Sequence, residues 1–535
     1  MPVPAATPPG AQRSGGTASI LVLVACAGAG TMAMELSAVR VLAPWFGTSA
    51  GVWTNVIGVV LLALALGYYL GGLLARSAEP RHFLARVLLF AALGAGLIPM
   101  LAAPVANFFI PAGLTLEQLN PLLHWGSLAT SLILFLPAAL ALGCVCPLAV
   151  EILCRDSGCH AGTAGGRVLA CSTLGGLAGT FLTTHWAVPE LGLRLTLLLS
   201  AALLGLPGLL LALRRPVSRG QALGFLVLVP LVGLAPEHLA NAPQAGWTVL
   251  DERLSAHQNL RVVQSGSDEL RLLQVNEGLD SFQSVWQPEP GLLPNGYYYN
   301  FFAAPAWWAG AEGRWQVLLL GAGAGTAARV ISGCLPERAT AHFIGVELDP
   351  EVLDLGRRWF ELESEPAQLE AVAGDARAAL RALRSEGRRF HEIVLDAYAN
   401  QSEIPPHLCS VEFFREALEC LEPAGWLLAN VGAFGVSDPL VEAIGETLAT
   451  ASGAQILALR VPFARNVILV ARRGTPPPRP GTPNWFVPVL AEQLGPLEVP
   501  GTWRLFEPLE TAPLSDDLNP VEALQARSLE RGWRR

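Results

Sequence analysis

The stretch Val317-Leu-Leu-Leu-Gly-Ala-Gly-Ala-Gly325 decides the fold of the second half of this 535-residue chain. Its apolar residues indicate a short buried strand, and its glycines permit a tight turn into the helix that follows. Strands and helices then alternate as far as about Arg472. Because this alternation is typical of a mostly parallel sheet, the sequence predicts an α/β Rossmann-like domain over 312–473. The loop glycines, where a ligand can approach the backbone closely, are Gly321, Gly323 and Gly325.

Three carboxylates follow the later apolar runs of this domain. Glu347, Asp375 and Asp396 each come at or just after the end of a predicted strand. Since parallel strands bind ligands at their carboxyl ends, the three acids are expected along one edge of the sheet. A carboxylate about 20 residues after such a glycine loop can accept both ribose hydroxyls, a role we assign to Glu347, while Asp375 suits an adenine amine. The pattern predicts an adenosyl cofactor; the alternative is that each acid caps a helix.

Asp396 is the predicted general base. It precedes a loop rich in turn-forming residues, Ala397–Pro406. A carboxylate at a strand end beneath such a loop suits proton abstraction from a bound substrate. The competing interpretation is an aspartate that only caps the loop.

The first 240 residues have a different character from the rest. The whole chain is 52% hydrophobic and only 15% charged, whereas soluble proteins have about 25% charged residues. Apolar runs of about 20 residues predict a transmembrane helical bundle over 19–240, after an N-terminal tail at 1–18. The predicted spans are 19–43, 52–74, 83–104, 125–150, 168–188 and 191–213, with a weaker seventh at 221–236.

The arginines of this half indicate its orientation. They fall on one side of the alternating spans, with Arg194 the clear exception, so the N-terminus is expected in the cytoplasm. Six spans would leave the following domain in the cytoplasm and seven would place it outside. The sequence therefore predicts a multi-pass protein of the cell (inner) membrane, with the lipid bilayer as a partner and its second half on the cytoplasmic side if the spans number six.

Two ionisable residues, Glu35 and Arg40, fall within or at the end of the first span. Charged groups at membrane depth are costly and face the bundle interior or water. One hypothesis is a site for a cationic ligand at Glu35. The other is a structural ion pair inside the bundle, for which Arg40 is one candidate partner.

Composition also excludes some partners. The net charge is −9 and no basic stripe occurs, so we expect no nucleic-acid partner. The nine cysteines lack the paired spacing of zinc sites and are interpreted as free thiols, so no metal is expected. Alternating runs at 247–311 predict a small β-unit with a linking helix. Residues 474–535 are interpreted as a Pro-rich linker and a C-terminal segment.

The soluble half resembles the spermidine synthases, the polyamine aminopropyltransferases, over about 250–470. The likeness is carried by His257-Gln-Asn-Leu260, Leu279-Asp-Ser-Phe-Gln283, the glycine loop, Glu347-Leu-Asp349, Gly374-Asp375, Asp396 and Pro405. The resemblance implies a class I methyltransferase-type fold preceded by a β-domain. It implies that Gln258 contacts the thioadenosine, that Glu347 grips the ribose, that Asp375 lies beside the adenine and that Pro405 closes over it. The membrane half looks like family members that carry a fused multi-span region.

The departures from the family lie on the side of the amine acceptor. Ala324, Tyr299, Asn300 and Ala399 stand where the family has Asp, His, Glu and Asp. A cationic amine needs carboxylates or aromatic faces to replace its hydration. The residues that we assign tentatively to the acceptor are Tyr298, Tyr299, Asp280, Asp516 and Asp517.

The resemblance implies transfer of an aminopropyl group from decarboxylated S-adenosylmethionine to a small-molecule amine. Asp396 would accept the proton and Tyr398 would hold the amine. One alternative is a methyltransferase of the same fold that uses S-adenosylmethionine, whose carboxylate needs a cationic or backbone partner. The nearest cation, Arg329, is expected to face solvent. Another alternative is a non-catalytic nucleoside or polyamine sensor or transporter. The oligomeric state stays open, with a homodimer as one expectation.

Overall fold

A computed structural model describes residues 14–46, 50–109, 116–213, 246–255, 257–275, 282–364, 367–398, 404–508 and 513–533. The chain divides into two compact units that separate near residue 241. The described part of the first unit is helical, and the second is built on two sheets.

The helices of the first unit follow one another with short connections. They are α1 (Ser14–Phe46), α2 (Ala50–Ala75), α3 (Pro80–Phe109), α4 (Leu116–Leu134), α5 (Leu136–Gly143), α6 (Val145–Ser157), α7 (Ala161–Leu182) and α8 (Val188–Leu213), with a π-helical turn at Thr183–Ala187. In the described part of the chain, five helical stretches are long and apolar enough to cross a membrane. These stretches are Thr17–Ala43, Gly51–Ala75, Pro80–Phe109, Leu136–Ser157 and Glu190–Ala212.

Four of the spans expected from the sequence coincide with these stretches, and the others differ. The span expected at 125–150 is displaced to Leu136–Ser157, after a short apolar helix at Trp125–Leu134. The span expected at 168–188 forms a helix, α7, but its many glycines and threonines make it less apolar than the five. The seventh, at 221–236, lies outside the described residues.

Small residues allow close helix packing in this unit. A Cβ on Gly175 would lie 2.0 Å from the backbone oxygen of Ala25, and one on Gly179 would lie 2.5 Å from that of Ala29. Helices α1 and α7 therefore touch through their backbones, the arrangement expected from glycines at four-residue spacing. Glu35 and Arg40 are both half-buried in α1. A structural ion pair inside the bundle and a cationic-ligand site at Glu35 both stay hypotheses.

The second unit begins with a four-stranded antiparallel sheet in the order β1-β2-β3-β4. Its strands are β1 (Trp247–Leu254), β2 (Asn259–Ser265), β3 (Arg271–Val275) and β4 (Ser284–Trp286). A 3₁₀ turn at Tyr298–Ala303 and the short helix α9 (Ala304–Trp308) then lead to the main sheet.

The main sheet has eight strands in the order β12-β10-β11-β9-β8-β5-β6-β7. Strands β5 to β9 form a parallel sheet. Strand β11 pairs antiparallel with β9, β10 pairs antiparallel with β11, and β12 pairs antiparallel with β10. The strands are β5 (Gly313–Leu320), β6 (Ala339–Glu347), β7 (Leu369–Ala373), β8 (Phe390–Leu395), β9 (Leu421–Gly432), β10 (Ile456–Arg460), β11 (Asn466–Arg472) and β12 (Trp503–Phe506). The helices are α10 (Thr326–Cys334), α11 (Pro350–Trp359), α12 (Ala376–Ser385), α13 (Val411–Glu419), α14 (Pro439–Ser452), α15 (Ala491–Leu494) and α16 (Val521–Trp533).

Strand β5 shows why the apolar run forms the centre of the sheet. Leu318 and Leu320 pack into one cluster with Phe413, while Val317 and Leu319 pack into a second cluster. All four side chains are at most 1% exposed, as expected for a parallel strand covered on both faces. The chain order reverses between β5 and β8, and open α/β sheets bind ligands at such a switch point. The predicted Rossmann-like fold is confirmed.

The segment after residue 473, interpreted from sequence as a linker and tail, also contributes to this sheet. Its strand β12 pairs antiparallel with β10, so that Trp503 lies opposite Leu459. The Pro-rich composition does not reveal the pairing, because a four-residue strand has almost no sequence signal of its own.

Candidate active site

Five neighbouring strands deliver residues to one edge of the main sheet. Their carboxyl ends carry Gly321 (β5), Glu347 (β6), Asp375 (β7), Asp396 (β8) and Asn430 (β9). These residues line a cavity of about 430 Å³. Most of the site residues expected from sequence also lie in its wall, namely Gln258, Tyr298, Tyr299, Gly323, Tyr398 and Pro405.

The glycine loop brings its backbone against the strand of the predicted base. Gly321 has φ +89°, and a Cβ on it would lie 2.4 Å from the backbone oxygen of Asp396. Gly323 has φ +53° and donates its N–H to Glu347 over 2.9 Å. A side chain at either position would be strained and would collide with its neighbours. Gly325 lies outside the cavity wall and starts α10 with φ +94°, so its role is to turn the chain.

Glu347 is buried and is held by backbone groups. Its Oε2 accepts the Gly323 N–H at 2.9 Å, and its Oε1 accepts the Asp349 N–H at 3.2 Å. Burial raises the pKa of Glu347, and these backbone hydrogen bonds offset part of that rise. Each carboxylate oxygen has a second lone pair, so the group can still accept two hydroxyl hydrogens from a ligand.

Asp375 both caps a helix and faces the cavity, so the two interpretations of this residue coexist. Its Oδ1 accepts the Ala378 N–H at 2.9 Å, and its Oδ2 lies 3.1 Å from the His407 Nε2. Partial burial raises the pKa of Asp375, but the hydrogen bonds from Ala378 and His407 outweigh it and leave the pKa below its usual value. His407 also lines the cavity and was not anticipated from sequence.

Asp396 is enclosed, and two side chains fix its carboxylate. The Tyr298 hydroxyl donates to Oδ2 at 3.0 Å, and the Asn430 Nδ2 donates to Oδ1 at 2.8 Å. Burial raises the pKa of Asp396 to about 7, although both hydrogen bonds act in the opposite direction. A carboxyl group with a pKa near neutrality is suited to accept and release a proton at physiological pH.

A second layer of polar groups orients Asn430. Its Oδ1 accepts from the Asn466 Nδ2 at 2.9 Å, which leaves its own NH₂ group directed at Asp396. The Tyr398 hydroxyl donates to the Asn430 backbone oxygen at 2.8 Å. Tyr398 therefore braces the strand beside the base and offers a bound amine its ring and the lone pairs of its oxygen. Neither asparagine was anticipated, although Asn430 occurs at the end of an apolar run as the three acids do.

Tyr298 and Tyr299, which also line the cavity, form a stacked pair. The rings of Tyr298 and Tyr299 lie 4.2 Å apart at 30°, and the Tyr299 hydroxyl donates to the Gln283 backbone oxygen at 2.8 Å. Burial, followed by the nearby charge of Asp396, raises the pKa of Tyr298 and of Tyr299 well above 10. Both hydroxyls therefore stay protonated and act as donors at neutral pH.

Comparison with known proteins yields no matching family model. A polyamine aminopropyltransferase from Mycobacterium tuberculosis is 27% identical over 411 residues, which cover 70% of this chain and 74% of that protein. Polyamine aminopropyltransferase 2 from Hyperthermus butylicus is 27% identical over 139 residues, or 25% of this chain and 44% of that protein. Over most of its length the chain is therefore similar to a polyamine aminopropyltransferase. The solved structure of a probable spermidine synthase from Corynebacterium glutamicum is 19% identical, with a TM-score of 0.39 and coverage of 49% of this chain and 91% of that chain.

Two of the departures from the spermidine synthase motifs now have a structural explanation. Asn300 is fully buried and bonds both the N–H and the C=O of Leu293, each at 2.9 Å, so it holds backbone instead of a ligand. Ala324 packs in an apolar cluster with Phe360 and does not line the cavity. The carboxylates found at these two positions in the family are thus replaced by structural contacts. Ala399 lies outside the described residues.

The expectation for Asp516 is corrected. This residue does not line the cavity, because it pairs with the buried Arg377 at 2.7 Å and accepts the Ser410 hydroxyl. A buried guanidinium needs a counter-ion, and Asp516 and Glu416 supply it. Asp517 does not line the cavity either, and Asp280 lies outside the described residues.

The expectation for Arg329 is also corrected. Its side chain is 8% exposed instead of facing solvent, and it pairs with Glu361 at 2.8 Å. It also donates to the backbone oxygens of Gln287 and Pro288. These contacts connect α10 to the loop after β4. Arg329 therefore stabilises the fold and does not bind a ligand carboxylate. Within the described residues, no group of three or more His, Cys, Asp or Glu side chains is arranged to hold a metal ion.

Proposed function

We propose that this protein is a membrane-bound aminopropyltransferase that moves an aminopropyl group from decarboxylated S-adenosylmethionine to a small-molecule amine. The observation that carries the proposal is the enclosed Asp396, with a pKa of about 7, beside a cavity that has acids placed for an adenosyl group. The names of the curated relatives support the same reaction class. The fold alone would also suit a methyltransferase.

The donor would lie along strands β5 to β7. Glu347 accepts its ribose hydroxyls, Asp375 and Pro405 hold its adenine, and the glycine loop approaches its sulfur with backbone only. This order places the sulfonium at the switch point, beside Asp396. No metal is needed, because the positive sulfur already makes the neighbouring propyl carbon electrophilic.

The reaction is a single displacement. The amine nitrogen forms a bond to the propyl carbon, the carbon–sulfur bond breaks, and its electron pair returns to sulfur to leave methylthioadenosine. An aliphatic amine has a pKa near that of lysine, about 10.4, and enters mostly as the ammonium ion. Asp396 takes one proton from it and so frees the lone pair that attacks. Tyr298 and Asn430 hold the carboxylate in place, so alignment is prepared before the amine arrives.

The direct test is release of methylthioadenosine by purified full-length protein in detergent. Decarboxylated S-adenosylmethionine with a panel of amines is expected to give stoichiometric release, whereas S-adenosylmethionine with the same panel is not. Methyl transfer from S-adenosylmethionine without aminopropyl transfer would replace the proposal with the methyltransferase alternative. Binding of methylthioadenosine without turnover of any pair would favour a sensor.

The pH dependence of kcat/KM for the donor should report the pKa of the base in the empty protein. Asp396 is active only when unprotonated, so activity is expected to fall as the pH drops through about 7, instead of through the ordinary range of an aspartate near 4. Replacing Tyr298 by phenylalanine removes a donor to the anion and should move this limb to higher pH. A limb near pH 4 in both proteins would contradict the assignment.

We further propose that the second unit faces the cytoplasm. The apolar helices of the first unit are consistent with membrane insertion, and the arginine distribution favours an N-terminus on the inside. If α4, α5 and α6 form one crossing and α7 another, the helices make six crossings. Protease added to inside-out vesicles should then digest the second unit, while right-side-out vesicles should protect it until lysis. The reverse pattern would indicate seven crossings.

A further inference from the structure

Part of the cavity wall comes from one short stretch of chain before α13, residues 404–410, which we call the adenine loop. Its Pro405 and His407 line the cavity, in and beside a 3₁₀ turn at Pro406–Leu408. Both belong to the end of the cavity proposed for the adenine, where His407 lies beside Asp375. Since Pro405 and Pro406 carry no N–H groups, they cannot donate hydrogen bonds that would fix the loop. Contacts from other segments therefore contribute to its position.

Two of those contacts come from the C-terminal segment and flank Pro405. The Asn519 Nδ2 donates to the Pro406 backbone oxygen at 2.7 Å, although the two residues are 113 positions apart along the chain. On the other side of Pro405, the Gln525 Oε1, on α16, accepts the Ile404 N–H at 3.3 Å. The segment therefore holds the backbone of the adenine loop immediately before and after the proline that faces the cavity.

An ion pair fixes the second half of the adenine loop. Asp516 accepts two hydrogen bonds from the Arg377 guanidinium, at 2.7 Å and 2.8 Å, and it also accepts the Ser410 hydroxyl. The same guanidinium donates to the His407 backbone oxygen at 3.1 Å. A bidentate pair of this kind restricts geometry as well as adding energy. Asp516 therefore holds His407 through Arg377 and holds the end of the loop through Ser410.

The C-terminal segment is itself anchored to the fold. The Leu514 backbone oxygen accepts the Val411 N–H at 2.8 Å, and the Leu514 N–H donates to the Thr447 hydroxyl on α14 at 3.0 Å. Leu514 and Val521 are buried in the same apolar cluster as Ile404 of the adenine loop. The segment is thus a fixed support against which the loop can be held.

We infer that Asp516, Asn519 and Gln525 are positioning residues of the donor site, and that they set its affinity for the adenine through the adenine loop. The inference rests on the proposed function, because it takes the adenine to lie between Asp375 and Pro405. None of the three positioning residues lines the cavity, so each acts through the loop. A ligand that must order a loop loses affinity, and a loop that is already held removes part of that loss.

Asn519→Asp tests one contact without removing the cap of a helix. Aspartate keeps the oxygen that accepts the Val521 N–H at the start of α16, but when ionised it cannot donate to the Pro406 oxygen. The dissociation constant of methylthioadenosine, measured by calorimetry on full-length protein in detergent, should rise by about 3- to 10-fold. Ala523→Asp adds the same charge at an exposed position on α16 and should leave that constant unchanged.

Gln525→Leu tests the contact on the other side of Pro405. Leucine has a similar volume but no acceptor for the Ile404 N–H, so the dissociation constant should again rise. In both variants KM for decarboxylated S-adenosylmethionine should rise, while kcat at saturating donor and KM for the amine stay at the wild-type values, because the groups around Asp396 are unchanged. A loss of folded protein would instead lower the calorimetric stoichiometry and kcat and leave the dissociation constant unchanged.

The outcomes separate the inference from the function on which it rests. Unchanged dissociation constants in both variants, with or without a lower stoichiometry, would overturn the inference and leave aminopropyl transfer standing. A higher KM for the amine with unaltered donor affinity would also overturn it, since the segment would then serve the acceptor. Weaker methylthioadenosine binding in both variants, with no turnover in the wild type, would support the positioning role and overturn the proposed transfer. A wild-type protein that does not bind methylthioadenosine would overturn both.

Discussion

Replacing Asp396 by asparagine is expected to lower the turnover of aminopropyl transfer by about 10²- to 10⁴-fold, the range typical of a lost general base. The amide has the shape of the carboxylate, and its oxygen can still accept from Asn430 while its NH₂ faces the Tyr298 hydroxyl. It cannot take a proton from an ammonium ion. The variant should therefore fold normally, bind methylthioadenosine as the wild type does, and fail only in the chemical step.

Single-turnover assays and calorimetry with methylthioadenosine separate these two effects. Glu386→Gln, which changes an exposed carboxylate after α12 to an amide, serves as the matched control and should behave as wild type. Turnover of Asp396→Asn within a few-fold of wild type would contradict the assignment of the base. Loss of methylthioadenosine affinity together with turnover would indicate a structural role instead.

Replacing Glu347 by glutamine should have the largest effect on donor binding. The carboxylate accepts the Gly323 N–H and keeps lone pairs for two ribose hydroxyls. A glutamine has one acceptor oxygen, so its NH₂ group must face either the Gly323 N–H or the Asp349 N–H, and only one oxygen is left to accept from the ribose hydroxyls. Hydrogen bonds to a charged group are each worth about 1.5–3 kcal/mol, so methylthioadenosine affinity should fall by at least about 10-fold.

The matched control for this variant is Glu370→Gln, at an exposed position on β7. Its methylthioadenosine dissociation constant should not change. With saturating donor, Glu347→Gln should regain much of its turnover, because the reacting groups on β8 are untouched. Unchanged affinity in Glu347→Gln would show that the ribose does not lie at the end of β6.

The sequence predicts the parallel part of the site well, because each piece is local. An apolar run followed by an acid marks a strand end, and the glycine loop marks the first of these ends. Because the strands that end at Glu347, Asp375 and Asp396 are parallel, their carboxyl ends meet at one edge of the sheet. The cavity wall contains all three.

The remaining site residues arrive by pairing that leaves no local signal. Asn466 and Arg465 reach the cavity because β11 returns antiparallel beside β9, and nothing in residues 456–472 distinguishes that register from others. Asp516 was misplaced for a similar reason, since its partner Arg377 is 139 residues away along the chain. Long-range charge pairing depends on which cation becomes buried, and only the folded chain decides that.

The membrane half shows the opposite limitation. Hydropathy correctly locates most apolar stretches, but it does not reveal where a helix is interrupted. The region around the fourth predicted span consists of three helices, which are separated at Phe135 and at Cys144. Each of these two interruptions lies near a proline. Glycine-rich α7 packs closely on α1, as the spacing of its glycines predicts. Its composition is nevertheless less apolar than that of the five helical stretches that could cross a membrane.

The raised pKa of Asp396 has a consequence for the sequence of binding events. Near pH 7, about half of the empty molecules carry a proton on this group. A sulfonium ion arriving beside it favours the ionised form, so occupancy by the donor and release of that proton are thermodynamically linked. The donor therefore prepares the group that the second substrate requires, which favours a compulsory order with the donor first.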